Sequence, residues 1–252
     1  KVIRPLLDSF KEDLITYCDS NNILYSIDKS NLENKYERNK IRNIELSNMT
    51  KEDILTLVNK MDKENIKEFF NNFASTWDNE PIADNEILDI ILDNAEIKEN
   101  VNVLDMACGT GVLFPFYLAR NVKNITAVDL SPEMVKIAKA KFPQAEIICG
   151  DAENIGFDRQ FDVIMIYNAF PHFPEPVKVI ENLIKYLKSH GRLCIAHGLS
   201  KKGLDEIHMK SAGKVSAILP ECDELAEMLK PYFNVDIMIS NDKMYQVTGT
   251  KK

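Results

Sequence analysis

The sequence predicts an α/β fold with a doubly wound, mostly parallel seven-stranded sheet, preceded by a helical N-terminal segment. From residue 81 onward, short apolar runs alternate with stretches of helical periodicity, a pattern typical of parallel strands joined by right-handed crossovers. A glycine-containing turn follows the first run, and all nine glycines lie after residue 66. Residues 1–62 contain no glycine and a single proline, Pro5. We therefore predict two parts, a helical segment over residues 1–62 and a domain over residues 63–252.

The predicted strands and helices follow in a regular order. Five buried strands are expected at the apolar runs 101–107, 125–130, 145–151, 161–170 and 191–198. Helices are expected where Ile, Leu, Val and Ala recur every three or four residues, at 82–97, 131–142 and 176–189. The last two runs, 232–240 and 244–252, predict a closing hairpin.

Composition and charge exclude several classes of protein. Acidic residues outnumber basic ones by 39 to 31, and the net charge of −8 argues against a large nucleic-acid or anionic-membrane surface. The five cysteines show no C-x-x-C spacing, which indicates free thiols and no zinc site. No apolar run approaches the roughly 18 residues that a transmembrane helix needs. We expect a soluble, cytoplasmic protein without a membrane partner.

A glycine-rich turn follows the first strand in "VLDMACGTG". Gly109 and Gly111 allow the backbone to turn tightly and to approach a ligand closely. The third glycine of the dinucleotide fingerprint would fall at Phe114, so this turn does not match the pyrophosphate-binding form. Asp105, near the end of the same strand, is an unusual carboxylate for a buried position unless it meets a cation or fixes the loop.

Two more acids stand at the ends of the next strands. Asp129 ends the second predicted strand, eighteen residues after Gly111, where a carboxylate can accept both hydroxyls of a ribose. Asp151, followed by the small residue Ala152, ends the third and suits the polar edge of an adenine. Because the carboxyl ends of parallel strands meet at one edge of the sheet, these features predict a single nucleoside-type site.

Five segments together resemble the class I S-adenosylmethionine-dependent methyltransferases, in that family's order: "VLDMACGTG", "VDLSPEM", "GDAENIGF", "FDVIMIYNAFPHF" and "LKSHGRLCIAHG". The resemblance covers about residues 66–252. It implies a Rossmann-like methyltransferase fold and S-adenosyl-L-methionine as the cofactor. The segment "FFNNFASTWDN" resembles the helix that closes over the cofactor in many members, which would place Phe73 and Trp77 near the pocket.

The resemblance also implies roles for individual residues at the cofactor. Asp105, Gly109 and Gly111 would hold its methionine part, and Asp129 would bind the ribose. The adenine would be contacted by three residues: Leu130, Asp151 and Ala152. Asn168 would lie under the cofactor near the methyl group.

The front of the chain resembles a different family. "RPLL", "DKSN" and "YERNKIRN" within residues 1–44 resemble the latter part of the catalytic domain of tRNA(Ile)-lysidine synthase. That family's Ser-Gly-Gly-x-Asp-Ser phosphate loop is absent from this sequence, so lysidine synthesis is not expected. Two interpretations stay open: a remnant that packs on its neighbour, which we favour, or an RNA-facing patch formed by Arg38, Lys40 and Arg42.

Three histidines follow the fourth and fifth predicted strands, at the edge where an acceptor would bind. His172 lies in "NAFPHF", His197 in "CIAHG" and His208 in "LDEIHMK". Each is a candidate general base or substrate anchor, and the alternative for each is a polar residue that lines a loop. A three-histidine metal site is the less favoured arrangement, so no metal is expected.

The function implied by the resemblance is methyl transfer from S-adenosyl-L-methionine to a small-molecule acceptor. One alternative is an RNA methyltransferase, suggested by the lysidine-synthase-like front and opposed by the acidic charge. Another is a non-catalytic regulator that senses S-adenosyl-L-methionine. "YNAF", at residues 167–170, lacks the double proline of the Asn-Pro-Pro-Tyr motif that it resembles in position, so N-methylation of a nucleobase is not indicated.

Overall fold

The computed structural model describes residues 20, 51–79, 84–207 and 215–252. The chain divides after Leu57 into two units, and the second, Val58–Lys252, contains the sheet and the site described below. Most of the predicted N-terminal segment, including Arg38, Lys40 and Arg42, lies outside the described residues. The boundary expected after residue 62 stays a prediction.

Seven strands build one sheet, and they coincide with the seven predicted apolar runs. They are β1 (Asn102–Met106), β2 (Asn124–Asp129), β3 (Glu146–Cys149), β4 (Phe161–Tyr167), β5 (Leu187–His197), β6 (Phe233–Ser240) and β7 (Tyr245–Lys251). Their order across the sheet is β3-β2-β1-β4-β5-β7-β6. The first five strands are parallel, and β7 pairs antiparallel with both β5 and β6. The predicted fold class and the closing hairpin are confirmed.

Helices connect the strands and precede the sheet. They are α1 (Lys51–Phe73), α2 (Asn85–Asn94), α3 (Phe114–Ala119), α4 (Pro132–Lys141), α5 (Pro176–Leu183), α6 (Lys201–Ile207) and α7 (Cys222–Leu229). A 3-10 helix, Ala74–Asn79, continues from the end of α1. α4 begins after Ser131, whose hydroxyl accepts from the backbone N–H of Met134, a standard N-cap. No described helix is long and apolar enough to cross a membrane.

The core has two layers because side chains alternate between the two faces of each strand. In β1, Val103 belongs to the cluster that packs with α2, whereas Leu104 belongs to the cluster that packs with α5 and α7. Asp105 follows Val103 by two residues and therefore shares its face of the sheet. Four cysteines within the described part of the chain are free thiols, as expected: Cys108, Cys149, Cys194 and Cys222.

β5 begins earlier than the predicted run at residue 191. Its pairing with β4 shifts in register between Phe161 and Val163, whose partners are Leu187 and Arg192. The intervening residues form an irregularity in which His190 takes a positive φ of 60°. A bulge of this kind adds residues to one strand without ending its pairing.

Candidate active site

A cavity of about 880 Å³, open to solvent, lies at the carboxyl edge of the parallel strands. Its acidic end is formed by the loops after β1, β2 and β3 (residues 106–109, 128–134 and 150–153). Its histidine end is formed by residues 167–174, which follow β4. α1 and the 3-10 helix contribute Lys63, Ile66, Phe70 and Trp77 to the lining. Crevices at this edge are where open α/β sheets bind ligands.

The glycine turn after β1 adopts the conformation for which glycine is needed. Gly109 and Gly111 have positive φ angles of 54° and 86°. A Cβ atom on Gly111 would lie 3.0 Å from the ring of Phe142, so a larger residue would clash there. Gly109 lines the cavity, whereas Gly111 is not among the lining residues and serves the turn itself.

Ala107 is a feature that the sequence analysis missed. It lines the cavity at the end of β1 and has a φ of 59°, in the left-handed region that favours glycine. The sequence carries no signal for it, because alanine is not among the residue types that favour a positive φ. A side chain held in this conformation stores strain next to the site.

Asp129 connects the loop after β1 to the loop after β2. It is 9% exposed and lines the cavity, and its two oxygens accept from Gly109 N and Ser131 N, both at 2.8 Å. Burial raises the pKa of Asp129, although the two backbone hydrogen bonds lower it. Each oxygen retains a further lone pair, so the carboxylate can accept from a ligand hydroxyl without releasing the loop. Leu130, the next residue, also lines the cavity.

Asp105 is buried behind the glycine turn and is not among the lining residues. Its Oδ2 makes no hydrogen bond with a described residue. Burial raises the pKa of Asp105 to about 8, the Tyr117 hydroxyl lowers it, and the charge of Asp129 raises it further. A cationic group of a ligand that came near this carboxyl would favour its ionised form. Its role in holding a methionine group stays a prediction.

Lys63 of α1 lies between two carboxylates of the loop after β3. Its ammonium is 2.8 Å from Asp151 and 2.5 Å from Glu153. Burial alone would raise the pKa of Asp151, but the hydrogen bond from Lys63 and other donors bring it below the ordinary value. Between these acids, Ala152 lines the cavity, and its carbonyl accepts from Asn182 Nδ2 at 3.0 Å. Lys63 could not be predicted from the sequence, because nothing in the periodicity of α1 distinguishes one lysine from another.

The end of α1 and the 3-10 helix lie over the acidic end. Trp77 lies beside the glycine turn, with its Nε1 3.6 Å from the position of a Cβ on Gly109. Asp78 accepts from the Thr110 hydroxyl at 2.6 Å and pairs with Lys141 at 2.9 Å. These contacts fasten the covering segment to the loop after β1 and to α4.

The expectation that Phe73 lies near the pocket is wrong, although Trp77 does line it. Phe73 is 47% exposed, with its ring against Phe69 at 4.7 Å. Phe70, three residues earlier on α1, lines the cavity instead. Its ring makes edge contacts with Trp77 at 5.6 Å and with His172 at 5.0 Å.

Asn168 lines the cavity directly after β4. Its φ of 52° turns the chain sharply, and its Oδ1 accepts from Gly198 N at 3.1 Å. The preceding residue, Tyr167, also lines the cavity, and burial raises the pKa of its hydroxyl above the ordinary value. Two strand ends, β4 and β5, are thus tied together at the histidine end.

The three candidate histidines lie in different places. His172 lines the cavity, and its Nδ1 is 3.0 Å from both the Val215 carbonyl oxygen and the Ser216 hydroxyl. His197 is fully buried at the end of β5, is not among the lining residues, and packs against the Tyr245 ring at 5.9 Å. His208 lies outside the described residues. Within the described ranges, no group of three or more His, Cys, Asp or Glu could hold a metal ion.

Of the eight residues predicted to bind the cofactor, six line this one cavity. They are Gly109, Asp129, Leu130, Asp151, Ala152 and Asn168. The other two, Asp105 and Gly111, stand behind the turn that carries Gly109.

Two family models match the chain. Residues 104–195 match a methyltransferase domain, and residues 1–48 match a PP-loop domain. The second match covers the segment that resembles lysidine synthase.

Two curated relatives show how far the similarity extends. The malonyl-[acyl-carrier protein] O-methyltransferase of Priestia megaterium is 29% identical over 188 residues, which is 66% of this chain and 68% of that protein. The demethylmenaquinone methyltransferase of Paenarthrobacter aurescens is 36% identical over 108 residues, 42% of each chain. The chain thus spans less than half the length of the second relative.

A solved structure shares the fold. It is a complex between the Haloferax volcanii Trm112 methyltransferase activator and a methyltransferase. The match covers 74% of this chain and 97% of a chain in that complex, with 17% sequence identity and a TM-score of 0.63. Residues 104–195 thus match a methyltransferase domain, and the shared fold, the glycine turn and the two acids at successive strand ends agree with the resemblance to the class I S-adenosylmethionine-dependent methyltransferases.

Proposed function

We propose that this protein transfers the methyl group of S-adenosyl-L-methionine to a small-molecule acceptor, with both compounds held in the one cavity. The observation that carries the proposal is the shape of that cavity. Its acidic end offers the glycine turn and carboxylates suited to a nucleoside, and its histidine end offers a base among aromatic side chains. The two ends are continuous, so a methyl donor and an acceptor can meet between them.

The residues of the acidic end fit the cofactor. Gly109 leaves space that a Cβ would reduce, and Asp129 has lone pairs that a ribose could use. Asp151 and Ala152 would hold the adenine, whereas Asp105 lies behind the glycine turn and does not line the cavity. When bound, the cofactor supplies a methyl group that is already activated for transfer.

His172 is the residue that we assign as general base. A carbonyl oxygen can only accept a hydrogen bond, so the 3.0 Å contact with Val215 O places the proton of the neutral ring on Nδ1. With the proton on Nδ1, Nε2 is the basic nitrogen of the neutral ring. The edge contact with Phe70 and the Ser216 hydroxyl hold the plane of the ring. His197, buried beside Tyr245, has no equivalent access to the cavity, and His208 stays a prediction.

Exclusion of water is the second task of the chain's own residues. Ile66, Phe70 and Trp77 cover the cavity from the side of α1. Transfer of a methyl group needs donor and acceptor in line about 3 Å apart in a dry site. Apolar covering side chains supply that environment, while the base at the far end removes the proton.

The acceptor class follows from the lining of the histidine end. Phe70, Phe173 and Pro174 surround His172 there, which favours an acceptor with an apolar or aromatic portion. The relatives are named for malonyl-[acyl-carrier protein] in one case and for demethylmenaquinone in the other. A base beside aromatic residues suits an acceptor that must lose a proton, as a ring carbon or hydroxyl does. The free thiols of the described residues support a cytoplasmic location for this reaction.

RNA methylation is the second candidate, and the PP-loop match over residues 1–48 is the observation that favours it. Against it stand the net charge of −8 and the carboxylates of the acidic end. A regulator that binds S-adenosyl-L-methionine without transfer is the third.

The test is methyl transfer from labelled S-adenosyl-L-methionine into a cell extract split into small-molecule and RNA fractions. We expect label in the small-molecule fraction and its loss with the Asp129→Ala variant. Label found only in RNA would contradict the proposal and would favour RNA methylation. Binding of S-adenosylhomocysteine without label in any fraction would identify the regulator instead.

A further inference from the structure

Lys63 is the residue through which α1 contacts the loop after β3. Its ammonium lies 2.8 Å from Asp151 Oδ2 and 2.5 Å from Glu153 Oε2. The same lysine lines the cavity, as do both of its partners. One side chain of the covering helix thus pairs with two acids at the end where adenine is expected.

The pair differs from an ordinary surface ion pair in its burial. The Glu153 side chain is 2% exposed and that of Lys63 is 19% exposed. Lys178 also approaches Glu153, but at 3.6 Å and with half of its side chain in solvent. Glu153 Oε1 makes no hydrogen bond with a described residue. Removal of the Lys63 ammonium would therefore leave a buried carboxylate with little compensation, which is costly.

Asp151 is held in one orientation by three donors. Oδ1 accepts from Glu153 N at 3.0 Å. Oδ2 accepts from Lys63 Nζ at 2.8 Å and from Asn154 Nδ2 at 2.9 Å. Of these donors, Lys63 is the one that comes from a distant part of the chain, 88 residues away in sequence. The position of α1 and the orientation of Asp151 are consequently coupled.

We propose that Lys63 is a positioning residue for the adenine part of the cofactor, because it fixes Asp151 and holds α1 over the base through one ion-paired cluster. This inference rests on the proposed function. Its consequence is specific: the effect of Lys63 belongs to the adenosine portion of a ligand and is independent of the methionine portion. It acts on the Kd of the nucleoside and on the cofactor KM, with little effect on kcat.

The experiment compares two ligands on four proteins by isothermal titration calorimetry. The ligands are S-adenosylhomocysteine, which has an amino-acid tail, and 5′-methylthioadenosine, which lacks it. The proteins are the wild type, Lys63→Met, Lys63→Arg and the control Lys67→Met. Lys67 lies one helical turn after Lys63 on α1. Among the described residues it forms an ion pair only with the exposed Glu64, at 3.6 Å.

For Lys63→Met we expect both ligands to weaken by the same factor, about tenfold or more, equivalent to about 1.4 kcal/mol. Lys63→Arg keeps the charge, so its affinity for both ligands should stay within about threefold of the wild-type affinity. Lys67→Met should bind both ligands as tightly as the wild type does. If Lys63→Met does not fold, as judged by its thermal transition, Lys63→Gln takes its place. The glutamine side chain keeps a hydrogen-bond donor without the charge, so Lys63→Gln should weaken the binding of both ligands by the same factor.

Three outcomes would overturn the inference. A folded Lys63→Met or Lys63→Gln variant with wild-type affinity for both ligands removes the role. Weaker binding of S-adenosylhomocysteine alone would place the effect at the methionine portion. A wild-type protein that binds neither ligand would overturn the proposed function as well, and this result is distinct from a change confined to the variants.

Discussion

The acidic end and the histidine end of the cavity are built in different ways. At the acidic end, the backbone organises the carboxylates: Asp129 accepts from Gly109 N and Ser131 N, and Asp151 accepts from Glu153 N. At the histidine end, His172 is held by a segment much later in the chain, through Val215 and Ser216. Backbone N–H groups at strand ends thus orient the carboxylates of the acidic end, to which Lys63 of α1 adds one long-range contact, while a distant segment holds His172 at the histidine end.

This difference separates binding from chemistry. Groups fixed by strand ends suit a constant part of the reaction, the cofactor, because the sheet itself determines their positions. Groups fixed by a distant segment can vary without disturbing the sheet. The histidine end is therefore where we expect the identity of the acceptor to be decided. Variants at the two ends should therefore separate an effect on turnover from an effect on cofactor affinity.

His172→Ala should lower kcat by roughly 10²- to 10⁴-fold, the usual contribution of a general base. Affinity for S-adenosylhomocysteine should change little, because His172 lies away from the acidic end. The measurement is steady-state methyl transfer once an acceptor is identified, with binding measured in parallel. His190→Asn is the matched control, since His190 is exposed in β5 and asparagine also tolerates its positive φ. Unchanged turnover in a folded His172→Ala variant would remove the assigned role.

Asp129→Ala should weaken S-adenosylhomocysteine binding by roughly 1 to 3 kcal/mol, through loss of charge-assisted hydrogen bonds to the ribose. Trp77, the one tryptophan of the chain, lines the cavity, so its fluorescence can follow the titration. Asp158→Ala, at an exposed aspartate, serves as the control and should bind normally. If Asp129→Ala folds and binds as tightly as the wild type, the two ends of the cavity are not divided as described.

Asp105 should make stability depend on pH. Burial raises its folded pKa to about 8 from an ordinary value of 3.8. The folded state therefore holds a proton that the unfolded state has lost, and stability should fall as pH rises from about 4 to 8, by at most about 1.4 kcal/mol per pH unit. Thermal unfolding of the ligand-free protein at several pH values measures this slope. Asp105→Asn should flatten it, and an identical slope in both proteins would contradict the assignment.

Ala107→Gly should give the smallest change. Glycine relieves the positive φ of 59° and also increases the entropy of the unfolded chain, so we expect a net shift in unfolding free energy within about 1 kcal/mol. A gain in stability would show that the strain outweighs the entropy. Ala152→Gly, a second alanine in the lining without a positive φ, is the comparison and should only lose stability.

The sequence was sufficient for the sheet and for most of the acidic end, because both follow from local patterns. Apolar runs mark strands, and polar residues at strand ends necessarily meet at one edge. Lys63, Phe70 and the contact between His172 and Val215 depend on how separate segments pack, which no local pattern contains. His197 illustrates the same limit: its place after β5 suggested access to the cavity, but the antiparallel pairing with Tyr245 of β7 buries it.

The strand order also determines when the sheet can be completed during synthesis. β6 leaves the ribosome before β7, yet in the described sheet β7 is the strand that separates β6 from β5. Until Tyr245–Lys251 has emerged, β6 lacks its neighbour and β5 presents an open edge, which is a template for pairing with other chains. Translation that stalls shortly before residue 245 would therefore yield an aggregation-prone chain, even though every residue of the cavity lining had already been made.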